Sequence, residues 1–105
     1  MQRNIYLEGE LGSKFGSKMS YNAPTVADAM KLLEVNNDNF REYLIQAHEK
    51  GVGFHIDVSG ESLEYDEEVF LPLNEGDITI TPVPAGAKGG AGKIFAAILI
   101  VILIA

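Results

Sequence analysis

Twelve consecutive apolar residues, Ile94–Ala105, constrain this chain more than any other feature. They follow a glycine-rich stretch, "GAKGGAG" at 86–92, which itself follows Pro82 and Pro84. As a helix, twelve residues extend about 18 Å, against about 30 Å of bilayer hydrocarbon and the ~20 residues of a spanning helix. As a strand they would reach about 40 Å. Five Ile and one Val suit a strand as readily as a helix. Left in water, such a run aggregates. The segment is therefore expected to be buried in a partner, inserted in a membrane, or continued by further apolar sequence. Ile94, Phe95, Ile98, Leu99, Ile100, Val101, Ile102, Leu103 and Ile104 are the residues expected to need that burial.

Upstream, the pattern is that of one small domain. Ile5 and Leu7 alternate with Asn4, Tyr6 and Glu8, as in a half-buried strand. "GELGSKFG" supplies glycines for a turn, and Met19 and Tyr21 mark a second strand, so the two are expected to form a hairpin. Thr25 with Asp28 three residues on reads as a helix cap, and Val26, Met30 and Leu33 follow at helical spacing. "NNDN" interrupts that helix, and Phe40, Tyr43, Leu44 and Ala47 resume the period up to Gly51, a plausible stop. The clearest strand is "VGFHIDVSG", with Val52, Phe54, Ile56 and Val58 on one side. A short strand is expected near Leu63–Tyr65, and a last one at "DITITPV" with Ile78 and Ile80 inward. Pro82 cannot donate to a ladder and is expected at an edge or an end. The order β-β-α(α)-β-(β)-β predicts an α+β fold, a mixed sheet with helices on one face, which is the order of ubiquitin-like β-grasp domains. Three parts result: a folded body over 1–84, a connector over 85–93, and the apolar segment 94–105.

Charge is unevenly distributed. All fifteen carboxylates lie at or before Asp77, so residues 1–84, with six Lys/Arg, carry −9, while Lys88 and Lys93 give the remainder +2. An acidic body argues against direct nucleic-acid binding, which needs a basic face. It reads as a solvated surface, with docking of a basic partner as the alternative. Cysteine is absent, which excludes disulfides and thiolate metal sites. The opening "MQRNIYLEGEL" has no apolar core of a secretory signal.

No pattern points to catalysis or to a bound cofactor. His48 and His55 stand apart on polar positions, and no metal-ligand spacing surrounds them. Asp66–Glu68 lacks the alternating ligands of a calcium loop. "GSKFGS" lacks the Lys-Ser/Thr ending of a phosphate loop and reads as a hairpin loop. No nucleophile sits in a Gly-x-Ser-x-Gly elbow. The chain is expected not to be an enzyme.

Two resemblances enter on the C-terminal residues. Leu73, Gly76, Asp77, Ile78, Ile80, Pro82, Gly89 and Gly90 resemble the ending of the thiamine- and molybdopterin-type ubiquitin-like sulfur carriers, although the chain runs past the Gly-Gly pair. Across nearly its whole length, the chain more closely resembles the tail assembly protein I family of lambda-like siphophages. The matching pieces are "IYLEGELGSKFG", "FREYL", "GDITITPVPAGAKGG" and the apolar run after it. That resemblance implies an N-terminal ubiquitin-like domain, a glycine-rich connector and a hydrophobic C-terminal region, of which this chain has the first part. It implies a structural role in the tail tip, beside a hub or central fibre protein and a tail peptidase of JAB and NlpC type. It also implies residence in the virion, assembly in the host cytoplasm, and an apolar segment buried in the tip or released toward the host membrane during entry. JAB peptidases cleave after Gly-Gly of ubiquitin-like tails, so Gly89 and Gly90 become a candidate processing point by resemblance. Cleavage there would leave a carrier- or modifier-like protein, the alternative function.

Overall fold

A computed structural model of the chain describes residues 2–86 and 92–104. The fold is α+β, a mixed five-stranded sheet with four helices. Strands β1 (Gln2–Leu7), β2 (Lys18–Asn22), β3 (Val52–Val58), β4 (Glu61–Ser62) and β5 (Ile78–Pro84) lie in the order β2-β1-β5-β3-β4. All neighbours are antiparallel except β1 and β5, which run parallel from Ile5↔Ile78 to Leu7↔Ile80. Helices α1 (Gly9–Phe15), α2 (Val26–Asn36), α3 (Phe40–Glu49) and α4 (Ala97–Ile104) complete the fold, with a 3-10 helix at Asp66–Phe70.

Period-two alternation decides which face is the core. Ile5, Leu7, Phe54, Ile56, Ile78 and Ile80 are all buried on one face. Tyr6, His55, Asp57, Thr79 and Thr81, which alternate with them, are only half-buried on the other. Onto the apolar face α2 lays Val26, Met30 and Leu33, and α3 lays Phe40, Leu44 and Ala47. Thr25 caps α2: its hydroxyl oxygen accepts the Asp28 N–H at 3.0 Å. The helix stops where Asn36 and Asn37 turn their side-chain amides back onto the carbonyls of Leu32 and Leu33. Asn39 then takes a left-handed conformation (φ 68°), and α3 begins. Gly51, with φ 76°, ends α3 as its spacing predicted.

Three local expectations need correction. The glycines of "GELGSKFG" do not make a tight turn: residues 9–15 form α1, although the strands it joins do pair antiparallel. Leu11 anchors α1 in the core, and Gly12 passes so close to Leu7 that a Cβ there would collide with its carbonyl oxygen. The short strand falls at Glu61–Ser62 rather than Leu63–Tyr65, and a 3-10 helix follows it. Pro82 lies within a central strand. Ser59 N–H donates to Asp77 and Ala85 N–H to Gly51, which places the hydrogen-bonding groups of odd-numbered β5 residues toward β3. Even-numbered residues face β1, as Ile80 does in accepting the Glu8 N–H. At Pro82 β1 has already ended, so no ladder bond is lost.

The apolar run departs most from expectation, because its cover comes from the chain itself. Phe95 and Phe54 exchange backbone hydrogen bonds, both at 2.8 Å, and Lys93 N–H donates to Leu63. The Phe54–Phe95 pair occupies the edge of β3 that β4 is too short to cover. Residues 97–104 then form α4 against α2 and α3, burying Phe95, Leu99, Ile102 and Leu103. Arg41 donates from Nη2 to the Leu103 carbonyl at 3.1 Å. Segment 94–104 thus shares one core with the body over 1–84.

Candidate functional site

Gly89 and Gly90, the candidate processing point, lie outside the described residues. Of the nine residues expected to need burial, Phe95, Leu99, Ile102 and Leu103 are buried in the core. Ile94, Ile98 and Ile100 are half-buried, and Val101 and Ile104 are exposed. α4 is aliphatic on every side, yet α2 and α3 cover only one of them. Its outer side is therefore the first surface with an unmet demand for contact.

Beside that outer side the end of α2, the start of α3 and the end of α4 converge. Arg41, at the start of α3, reaches Glu34 near the end of α2 with its Nε at 2.5 Å and the Leu103 carbonyl of α4 with its Nη2. Val35 adjoins Glu34, Ile104 adjoins Leu103, and Ile45 lies one turn beyond Arg41. Val35 is 79% and Ile104 60% exposed. The guanidinium's pKa is raised, chiefly by its hydrogen bond to Glu34.

A second surface is the ledge over residues 64–71. Val69 is buried beneath it, and Glu68 turns its carboxylate back to accept the N–H groups of Glu64 and Tyr65 at 2.6 and 2.9 Å. This staple fixes the 3-10 helix while Tyr65, Phe70 and Leu71 stand out in solvent beside Glu64 and Glu67. Lys93 Nζ sits 3.7 Å from Asp66, tying the ledge to the start of the apolar segment. The acidic run read as solvated charge thus holds one carboxylate with a structural task.

A third feature is a cavity of about 280 Å³ between α1, α3 and the end of β5. Ala47, Val52, Pro82 and Pro84 give it apolar walls, and Glu10, Lys14 and Lys50 line its polar side. Tyr43 stands between it and a shallower hollow bounded by Asp38, Asn39 and Glu42. Its ring packs edge-on against Phe15, and Lys14 Nζ lies 5.6 Å from the ring centroid. Burial, and secondarily the Glu10 carboxylate, push the Tyr43 phenol above its ordinary pKa. This cavity was invisible in the sequence because one wall is α1, which local pattern assigned to a turn.

Neither histidine joins a site. His48 is exposed, and the His55 Nδ1 lies 3.2 Å from the Lys93 carbonyl oxygen, beside the apolar segment. Among the described residues no group of three His, Cys, Asp or Glu side chains could hold a metal ion. Among the described residues Arg3 is the buried charge: its Nη1 and Nη2 donate to the carbonyls of Gly76 and Asn74 at 2.8 and 2.9 Å. It ties β1 to the turn before β5, a structural task that lone-residue reading of the sequence did not detect.

No protein-family model matches the chain, and no curated protein or solved structure matches it either.

Proposed function

We propose that this chain is a non-enzymatic assembly component of a siphophage tail tip, built on a ubiquitin-like β-grasp domain that docks other tail proteins. The strand order supports the β-grasp assignment: the last strand lies parallel beside the first, and α2 and α3 pack on one face. The C-terminal sequence supports the tail-tip assignment through its likeness to the tail assembly protein I family. The observation that carries the proposal is α4, an aliphatic helix with one side in the core and the other in solvent. A side of this kind suits burial by an assembly partner.

In the tail tip the partners are a hub or central fibre protein and a JAB- and NlpC-type peptidase. Assembly takes place in the host cytoplasm and the product resides in the virion. No helix among the described residues is long and apolar enough to cross a membrane. Contact with the host membrane during entry is made by the exposed aliphatic side of α4.

Mass spectrometry of purified tails tests the assignment. Peptides from both the body and the apolar segment are expected in the tail-tip fraction, crosslinked to the hub or the peptidase. Their absence from assembled tails refutes a tail-tip role. A mature species ending at Gly90 as an adenylate or thiocarboxylate would instead establish the carrier-type function.

A further inference from the structure

We propose that the cavity between α1, α3 and the end of β5 binds a small aromatic acid, with its ring against Pro82 and Pro84 and its carboxylate at Lys50. This does not depend on the tail-tip assignment; it follows from how the cavity arises and what lines it. Alternation along β5 sends Pro82 and Pro84 to the same side of the sheet as the buried Ile78 and Ile80. The pairing with β1 ends at Ile80, and the two prolines beyond it are half-buried and exposed. Val52, paired with Pro84, stands beside them. α1 and α3 wall this space of about 280 Å³ without filling it. Ligand pockets usually run from about 300 to 1,000 Å³, so the occupant is small. The flat faces of two pyrrolidine rings and of Tyr43 suit a flat ring better than an aliphatic chain.

The charged groups in the wall set the occupant's polarity. They are Glu10, Lys14 and Lys50, and none of the three makes an ion pair among the described residues. Lys14 lies over the Tyr43 ring and also borders the neighbouring hollow, which Asp38 and Glu42 line. Carboxylates are thus already at hand for Lys14. Lys50 differs. Tyr43, Gln46, Ala47 and Lys50 share one face of the α3 end, and that face carries no carboxylate. Glu49, the remaining acid of α3, does not line the cavity. An anionic group is therefore best placed at Lys50. At the other end, Glu10 is close enough to the Tyr43 phenol to raise its pKa, and its carboxylate can accept a ring N–H or O–H of the ligand. The net charge of −7 favours the opposite ligand, an aromatic amine, at any cleft without a local cation. A preference for the acid is then a property of Lys50 rather than of the molecule's field.

Titration of the isotope-labelled chain with indoleacetate, followed by NMR, tests this, with tryptamine and indoleacetamide as comparators. Indoleacetate is expected to shift the amides of α1, of residues 43–50 and of the end of β5, saturating at about millimolar concentration. Tryptamine is expected to bind at least about threefold more weakly, with the neutral amide between the two. Lys50→Gln is expected to abolish the advantage of the acid over the amine. Ala47→Leu, which puts bulk into the cavity, is expected to weaken all three ligands by about fivefold or more. The absence of shifts at these residues up to about 10 mM indoleacetate overturns the proposal. So do shifts centred on α4, tryptamine binding as tightly as indoleacetate, or a Lys50→Gln variant that keeps the preference of wild type. None of these outcomes bears on the composition of tails, which tests the tail-tip assignment separately. Circular dichroism checks the fold; Lys50→Glu, at an exposed position, provides a second lesion should Ala47→Leu misfold, and is expected to turn the preference toward the amine.

Discussion

Replacing Phe95 with alanine tests whether the apolar segment belongs to the domain. The ring is fully buried in the same core as Phe54, whose backbone it pairs with through two hydrogen bonds. Truncation removes on the order of 150 Å² of buried aromatic surface, which at about 25 cal/mol per Å² corresponds to about 4 kcal/mol. Core Phe→Ala changes fall at about 3–5 kcal/mol, which agrees. A domain of this size is stable by about 5–15 kcal/mol, so a large share would be lost. Urea unfolding followed by circular dichroism reads the change, with Val101→Ala, in the helix α4 that follows Phe95, as an exposed control expected within about 1 kcal/mol of wild type. The loss should appear as a lower midpoint with an unchanged slope. If Phe95→Ala and Val101→Ala both unfold with wild type, residues 94–104 are not packed on the body, and the single-core description fails.

Three further outcomes follow from neighbouring geometry. Gly53→Ala would press a Cβ into Ile94 and bring it 3.0 Å from the Phe95 carbonyl oxygen, and is expected to cost about 1–3 kcal/mol in the same unfolding assay. Arg3→Met keeps the buried stem but leaves the carbonyls of Asn74 and Gly76 without donors, and is expected to cost about 2–3 kcal/mol; an unchanged stability would show that water replaces the guanidinium. The Tyr43 phenol should titrate above the ordinary tyrosine value of 10.0 in ultraviolet difference spectra, and Glu10→Gln should move it back part of the way. Because folding favours the protonated phenol, its contribution to stability is present below that ordinary value and declines as pH rises through the folded pKa.

Legibility in the sequence followed the range of the interactions. Alternation revealed β1, β3 and β5, because one face of each meets the core and period two records that directly. Thr25, the Asn36–Asn39 break and Gly51 were legible because their hydrogen bonds close within four residues. α1 was not legible: seven residues bounded by Gly9 and Gly16 show little period, and Leu11 is fixed by its place in the core rather than by local propensity. The candidate surfaces depend on such distant placement. Tyr65 was expected to end a short strand, and Phe70 and Leu71 showed no period; the Glu68 staple gives all three a fixed platform. The need to bury the apolar run was evident from twelve residues alone. That α2 and α3 would meet part of it was not, since nothing within the run names its cover.

Pro82 has an influence on the far end of the chain. Lacking an N–H toward the side where β1 runs, it offers the first strand no donor after Ile80 has accepted the Glu8 N–H. Its ring instead lies about one van der Waals contact, 3.6 Å, from where a side chain on Gly9 would begin. A first strand displaced two residues along β5 would meet an imino acid in place of a donor. The proline therefore acts as a register mark for the parallel pair, written more than seventy residues after the strand it aligns. It also fixes where that strand leaves the sheet, and so where α1 starts and where the cavity beside Tyr43 opens.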